Sequence, residues 1–229
     1  QQARRSLVSN ISHDIKTPIA LISGYAAGLA SGMADTPEKM REYCDVIIDE
    51  SDRMLQMIDR MLQLSRIESG AVALTMEGFS LSELLDDLLE KFHVEIERAG
   101  IALTRGYEPG ACVVSDYVCV EQVLTNYISN ALNHVEGEKI IKITIQKEPD
   151  HVRVGVFNTG KPIPEEDLGR IWDKFYKVDK AHTREYGGNG IGLSIVRAIM
   201  ESFHQKYGVK NYDNGVEFWF ELDAKCGKV

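Results

Sequence analysis

Two long amphipathic stripes open the chain, and they are hard to bury. Leu7, Val8, Ile11, Ile15, Ile19 and Ile22 recur at steps of three and four, the spacing of one helix face. A second stripe follows, with Met40, Tyr43, Ile47, Met54, Met57, Met61 and Leu64. Between them "LASGMADTPEK" supplies the stop and the start. Gly32 can end the first helix, Thr36 can cap the second, and Pro37 suits its first position. The second helix is predicted to end at "ESG", with Gly70 as its stop. A two-helix hairpin cannot cover both stripes by itself. Two copies forming a four-helix bundle is the simplest solution, so a homodimer through this hairpin is expected.

Past Gly70 the pattern changes. "AVALTMEGFS" reads as a strand and "LSELLDDLLEKFHVEIERAG" as one amphipathic helix. "IALTRGY" and "ACVVSD" read as short strands, and Tyr117 to His134 as a helix. "KIIKITIQKE" and "HVRVGVFN" alternate and should pair as a hairpin through "PD". "PEEDLGRIWDKFY" reads as a helix with acids in its first turn, "GIGLSIVRAIMESF" as another, and "GVEFWFEL" as the final strand. The expected division is a helical hairpin over residues 1–68 and an α+β domain over residues 69–229, with a hinge near residues 67–71.

Composition removes some classes. A net charge of -9 argues against a nucleic-acid partner, because phosphate backbones call for a basic face. Cys44, Cys112, Cys119 and Cys226 show no close pair at metal-ligand spacing and read as reduced thiols. No apolar run approaches the ~20 residues that span a bilayer, and no secretory signal opens the chain. The polar start, "QQARRSLVSN", reads as a cut from a longer protein.

Inside the first helix sits "SHDIKTPI". His13 and Thr17 are four apart and share a face. Pro18 has no N–H for the carbonyl of Asp14, so a bend with a free carbonyl is expected there. An imidazole, a carboxylate and a hydroxyl thus meet at one distorted place, which for His13 alone would read as an ordinary solvated helix face. The C-terminal half offers a visitor. "GGNGIGL" puts Gly188, Gly190 and Gly192 ahead of a helix, where free N–H groups favour an anion and glycines let phosphates approach. "TNYISNALNH" sets Asn126, Asn130 and Asn133 on a helix, and carboxamide oxygens with phosphate and water can hold Mg²⁺. "VFNTGKPIP" ends a strand in a turn at Gly160 suited to a flat base. Surface polarity and an ordinary loop would also account for these last two stretches.

"SHDIKTPI", "NYISNALNH", "FNTGKPIP", "IWDKFYKVD" and "GNGIGL", in that order, resemble the sensor histidine kinases of bacterial two-component systems over essentially the whole chain. The resemblance implies a dimerisation and histidine-phosphotransfer hairpin, then a catalytic ATP-binding α+β sandwich of the gyrase, Hsp90 and histidine kinase type. By resemblance His13 is the phosphoacceptor, Asp14 supports its ring, and Thr17 orients a water for dephosphorylating a response regulator. Asn130 looks like the Mg²⁺ ligand, with Asn126 supporting it and Asn133 and His134 near phosphate and sugar. Tyr176 and Lys177 open a lid over about residues 177–190. Gly188, Gly190 and Gly192, with Leu193, close that lid around ATP. The adenine position departs from the family pattern. Asn158 stands where most members have Asp, and Pro162 where a second glycine falls, so a charge-assisted bond to the base is missing.

The implied function is autophosphorylation from ATP with Mg²⁺, then transfer to a response regulator receiver domain, with regulator phosphatase activity as a further expectation. The alternative is a non-catalytic dimeric scaffold or phosphotransfer module with a decayed nucleotide domain. The resemblance also implies a cytoplasmic portion of a bacterial membrane protein, anchored only through an upstream segment absent from this chain.

Overall fold

The computed structural model describes residues 2–70, 73–178 and 190–224, with side chains from residue 15 onward. The chain begins as a hairpin of α1 (Gln2–Ala30) and α2 (Pro37–Glu68). Thr36 caps α2 as expected, its hydroxyl accepting from the Lys39 N–H at 3.3 Å, with Pro37 at the first helical position. Helix α1 runs on through Pro18 without a break in its assignment. The hairpin buries Met57 and Leu64 but leaves Ile48, Leu55, Ile58 and Leu62 exposed. The predicted stripe of Tyr43, Ile47, Met54, Met57, Met61 and Leu64 is half-buried or buried, and the exposed apolar residues form a neighbouring stripe that the sequence reading did not name.

The remainder is an α+β sandwich. Its elements are β1 (Met76–Ser80), α3 (Leu81–Lys91), α4 (His93–Ala99), β2 (Ala102–Gly106), β3 (Cys112–Asp116), α5 (Tyr117–His134), β4 (Ile140–Lys147), β5 (His151–Thr159), α6 (Gly192–Ser202), β6 (Tyr207–Tyr212) and β7 (Gly215–Asp223). The main sheet has the order β2-β4-β5-β7-β6, and β1 pairs with β3 in a small separate sheet. All pairs are antiparallel except β2 with β4. Leu81, Leu84, Leu85 and Leu88 of α3, Val120, Leu124 and Ile128 of α5, and Ile195 and Ile199 of α6 form the helical side of the core. Val152, Val154 and Val156 of β5 face them.

Four local expectations need correction. Strand β1 starts only at Met76, because the Thr75 N–H bonds the Asp116 carboxylate at 2.8 Å instead of a strand partner. The helix after it is two helices, broken at Phe92, whose ring packs on the core. The stretch 164–176 is a run of turns rather than a helix. Its bonds are mainly of the i to i+3 kind, such as Arg170 N–H to Asp167 O at 2.8 Å, and they turn Ile171, Trp172 and Phe175 inward. Strand β6 was not anticipated. It forms because "DNG" makes a tight hairpin into β7, with Tyr212 paired to Gly215.

The sandwich rests on the far end of α2. Gln63 Nε2 donates to Gln122 Oε1 at 3.0 Å, and Lys174 Nζ meets Glu68 Oε2 at 2.6 Å. Beside the Lys174–Glu68 contact lies a cavity of about 580 Å³, bordered by Ile67, Trp172, Arg197 and Glu201 among others.

Candidate functional site

Helix α5 starts where Asp116 caps it. One carboxylate oxygen accepts from the Cys119 N–H at 2.9 Å and the other from the Thr75 N–H. Burial alone would raise the Asp116 pKa. The backbone donors outweigh it, so the group sits below the usual carboxylate range. The same burial, with Asp116 beside it, pushes the Cys119 thiol up to about 12.

From that start, the helical period brings Asn126, Asn130 and Asn133 to the open end of the sandwich, all half-buried. Asn126 Nδ2 bonds the Gln122 carbonyl at 2.9 Å. Asn130 and Asn133 spend no side-chain bond on other described residues. Opposite them α6 begins at Gly192. A Cβ there would lie 2.9 Å from Asn126 Oδ1, so only glycine lets the helix start come this close. No side chain caps α6, and its first turn carries no acid. Among the described residues no side chain bonds its first N–H groups, which with the helix dipole suit an anion or water.

Another wall of the site is strand β5. The alternation that turns Val152, Val154 and Val156 into the core also turns Asn158 inward, beneath the C-terminal end of α5. Asn158 Nδ2 donates to the His134 carbonyl at 3.3 Å and to the Thr159 carbonyl at 3.1 Å. Gly160, at φ 155°, follows so closely that an added Cβ would sit 2.6 Å from the same His134 oxygen.

At the other edge, Tyr176 donates its hydroxyl to Asp167 and lies under the Arg170 guanidinium, 4.4 Å from the ring centre. The bond to Asp167 raises the Tyr176 pKa. Lys177 beside it is half-buried, as is Leu193. The Phe175 N–H donates to the Gly190 carbonyl at 2.8 Å, so these two residues are joined across the intervening segment.

The structure thus gathers Asn126, Asn130, Asn133, Asn158, Gly160, Tyr176, Gly190 and Gly192 around one end of the sandwich. Gly188 lies outside the described residues, and so do the side chains of His13 and Asp14, which belong to α1. Thr17 is exposed on that helix and His134 on α5. Among the described residues no cluster of His, Cys, Asp or Glu would hold a metal alone, so a cation here needs the ligand's own oxygens.

Three residues of the wall escaped sequence reasoning. Thr159 donates to the Glu136 carbonyl at 2.9 Å and accepts from the Ile140 N–H at 3.0 Å, which ties the loop after α5 to β5. Asn211 holds Ile163 by both its N–H (3.0 Å) and its carbonyl (2.7 Å), standing in for a strand partner. Asp167 fixes Tyr176. Only the threonine had a signal, as a residue next to a motif position.

An uncapped helix start beside a row of carboxamides, joined by loops to a long hairpin bearing "SHDIKTPI", defines a nucleotide-phosphate pocket attached to a histidine-bearing helix pair. Comparisons with known proteins agree. Residues 3–70 match the His Kinase A (phospho-acceptor) domain, and residues 115–225 match the histidine kinase-, DNA gyrase B- and HSP90-like ATPase family. The sensor protein SrrB of Staphylococcus aureus is 30% identical over 210 residues, covering 92% of this chain and 36% of that protein. The catalytic domain of the histidine kinase ThkA is 33% identical, with a TM-score of 0.58 over 66% of this chain and 98% of that one. ThkA in complex with the response regulator protein TrrA is 29% identical, with a TM-score of 0.79 over 96% of this chain and 61% of that one. The chain belongs to the sensor histidine kinases of bacteria. It spans about a third of the length (36%) of the SrrB relatives it matches.

Proposed function

We propose that this chain is the phosphorylating core of a two-component sensor: it transfers the γ-phosphoryl group of ATP to His13 and then to an aspartate of a response regulator receiver domain. The observation that carries this reading is the α6 start, uncapped and without acids, set against Asn126 and followed along α5 by the unspent carboxamide of Asn130. These groups suit a triphosphate. Asn158 and Gly160 form the base end, and Asn133, His134, Tyr176, Lys177, Gly188, Gly190, Gly192 and Leu193 border the rest. Mg²⁺, held by Asn130 with phosphate and water oxygens, would neutralise charge on the group being transferred.

A ring nitrogen of His13 forms the new N–P bond as the bond from the γ-phosphorus to the ADP oxygen breaks. Asp14 holds the other ring N–H, which selects the nucleophilic tautomer. Thr17 orients a water in the reverse service, removal of phosphate from the regulator. The exposed stripe of Ile48, Leu55, Ile58 and Leu62 is the homodimer seam. The functional division falls at residues 68 and 69, where α2 ends. No described helix is long and apolar enough to cross a membrane. We assign the membrane anchor, with the stimulus-sensing part, to a region upstream of this chain, which places this core in the cytoplasm.

Incubation with labelled ATP and Mg²⁺ tests the reading. Acid-labile, alkali-stable label is expected, and it should vanish in His13→Gln. A chain that binds Mg²⁺-ATP but never labels would instead be a scaffold with a decayed nucleotide domain.

A further inference from the structure

Tyr176 is held at three points. Its hydroxyl donates to the Asp167 carboxylate, the Arg170 guanidinium lies over its ring at 4.4 Å, and its N–H donates to the Asp173 carbonyl at 3.2 Å. The holding residues are themselves tied down. The Asp167 carbonyl accepts from the N–H groups of Arg170 at 2.8 Å and of Ile171 at 3.0 Å, and Ile171 is buried in the core. Asp173 pairs with Arg197 of α6 at 3.6 Å. Tyr176 is only half-buried, so water would satisfy its hydroxyl almost as well, and a bond in that setting adds little to stability. What the ring does fix is the chain that follows it. A Cβ on Gly190 would fall 2.9 Å from the Tyr176 carbonyl oxygen. The peptide joining Tyr176 to Lys177 therefore lies against Gly190, just ahead of the α6 start at Gly192.

We propose that Asp167 and Arg170 are positioning residues for phosphoryl transfer: through the Tyr176 ring they fix the backbone from which Lys177 reaches the terminal phosphate. The inference rests on the nucleotide reading above, and neither residue needs to touch the nucleotide. A lysine is a point charge on a flexible stem, so its placement depends on how firmly its own backbone is held. Phosphoryl transfer depends on placement and charge neutralisation, and a misplacement of about 1 Å costs up to about a hundredfold in rate. Carboxylate and guanidinium divide the task. Asp167 fixes where the hydroxyl end of the ring points. Arg170 covers the ring face, and its flat fork does so better than an ammonium would.

Calorimetric titration of the full chain with ADP and with the β,γ-imido analogue of ATP, both with Mg²⁺, tests the role beside His13 labelling. ADP lacks the terminal phosphate, so Tyr176→Phe and Asp167→Ala should keep ADP affinity within about twofold of wild type. Both should weaken binding of the analogue by about threefold or more and slow labelling about tenfold, with melting nearly unchanged. Asp167→Asn keeps an acceptor oxygen and should restore most of the rate, whereas Arg170→Ala should slow it about threefold. In a Lys177→Ala chain, Tyr176→Phe and Asp167→Ala should shift the analogue-to-ADP affinity ratio by less than about twofold, because the group they position is gone. Equal losses of ADP and analogue affinity, an unchanged ratio, or losses that persist in the Lys177→Ala chain would overturn the positioning role and leave the kinase reading intact. Failure of both nucleotides to bind the wild type would overturn the nucleotide reading together with this one.

Discussion

The Phe175 N–H and the Gly190 carbonyl meet at 2.8 Å, closing the base of the segment between them. Gly190 has φ +62°, and a Cβ there would fall 2.9 Å from the Tyr176 carbonyl oxygen and about as close to the Phe175 backbone. The residue the sequence assigns to cradling phosphate is thus also bonded to Phe175 across the intervening segment. Gly190→Ala should cost about 1–3 kcal/mol through left-handed strain, with the backbone collision added. It should weaken nucleotide binding in the same variant. Thermal melting and ADP titration check this. Unchanged melting would mean that this contact yields easily and that the glycine serves phosphate alone.

Asp116 ties two segments with one carboxylate. Asp116→Ala should lose both the α5 cap and the Thr75 bond, about 2 kcal/mol together. Asp116→Asn, which keeps a single acceptor oxygen, should lose about half. The folded pKa is depressed, so the charged group stabilises the fold above the ordinary carboxylate pKa near 4. That stabilisation is lost as pH falls through the lower folded value. The melting-temperature gap between wild type and Asp116→Asn should therefore be constant near neutrality and narrow below about pH 4. A gap that stays flat into that acidic range would refute the assignment.

The Lys174–Glu68 pair holds the sandwich to the tail of α2. At about 1.5 Å per residue from the hairpin tip, Glu68 lies roughly 20 Å farther along the bundle than His13. If His13 receives the phosphoryl group, as proposed above, the sandwich must leave that contact or stretch well past it. Both partners are about a third or more exposed, so the pair contributes at most about 1 kcal/mol. Lys174→Ala should leave melting nearly unchanged and raise autophosphorylation by up to about fivefold. The effect should fade at high salt, and the charge swap Lys174→Glu with Glu68→Lys should restore the slower rate. A rate equal to wild type at low salt would show that this contact does not limit delivery.

How much of this was readable from the chain follows from where the constraints act. Periodicity placed α1, α2, α5 and α6, because apolar residues recur at helical spacing along each. Thr36 with Pro37 fixed a boundary because a cap is a local bond. The carboxamide row on α5 was visible because helical spacing alone aligns it. Strand β6 carried too few apolar residues to announce itself and exists because β7 offers it an edge. The turns of 164–176 look helical in composition, but burial of Trp172 against Tyr207 and Phe218 outweighs that local preference. The orientation of the Asn158 amide could not be read at all. It depends on the carbonyl of His134, 24 residues away, which becomes a partner only in the folded chain.

Thr159 gives the last prediction. Its buried hydroxyl bonds the Glu136 carbonyl and the Ile140 N–H, and its own carbonyl accepts from the Glu136 N–H at 2.9 Å. It therefore sets the distance between the end of α5, which carries His134, and the strand that carries Asn158. Thr159→Val keeps the shape and removes the hydroxyl, leaving a buried donor and acceptor unpaired at a cost of about 1–3 kcal/mol. Because His134 O fixes the Asn158 amide, the same variant should lose adenine affinity and discriminate less between ADP and GDP. Thr159→Ser retains the hydroxyl and should recover most of both. If valine lowers the melting temperature while the ADP-to-GDP ratio stays at the wild-type value, the hydroxyl supports the fold without setting the base wall.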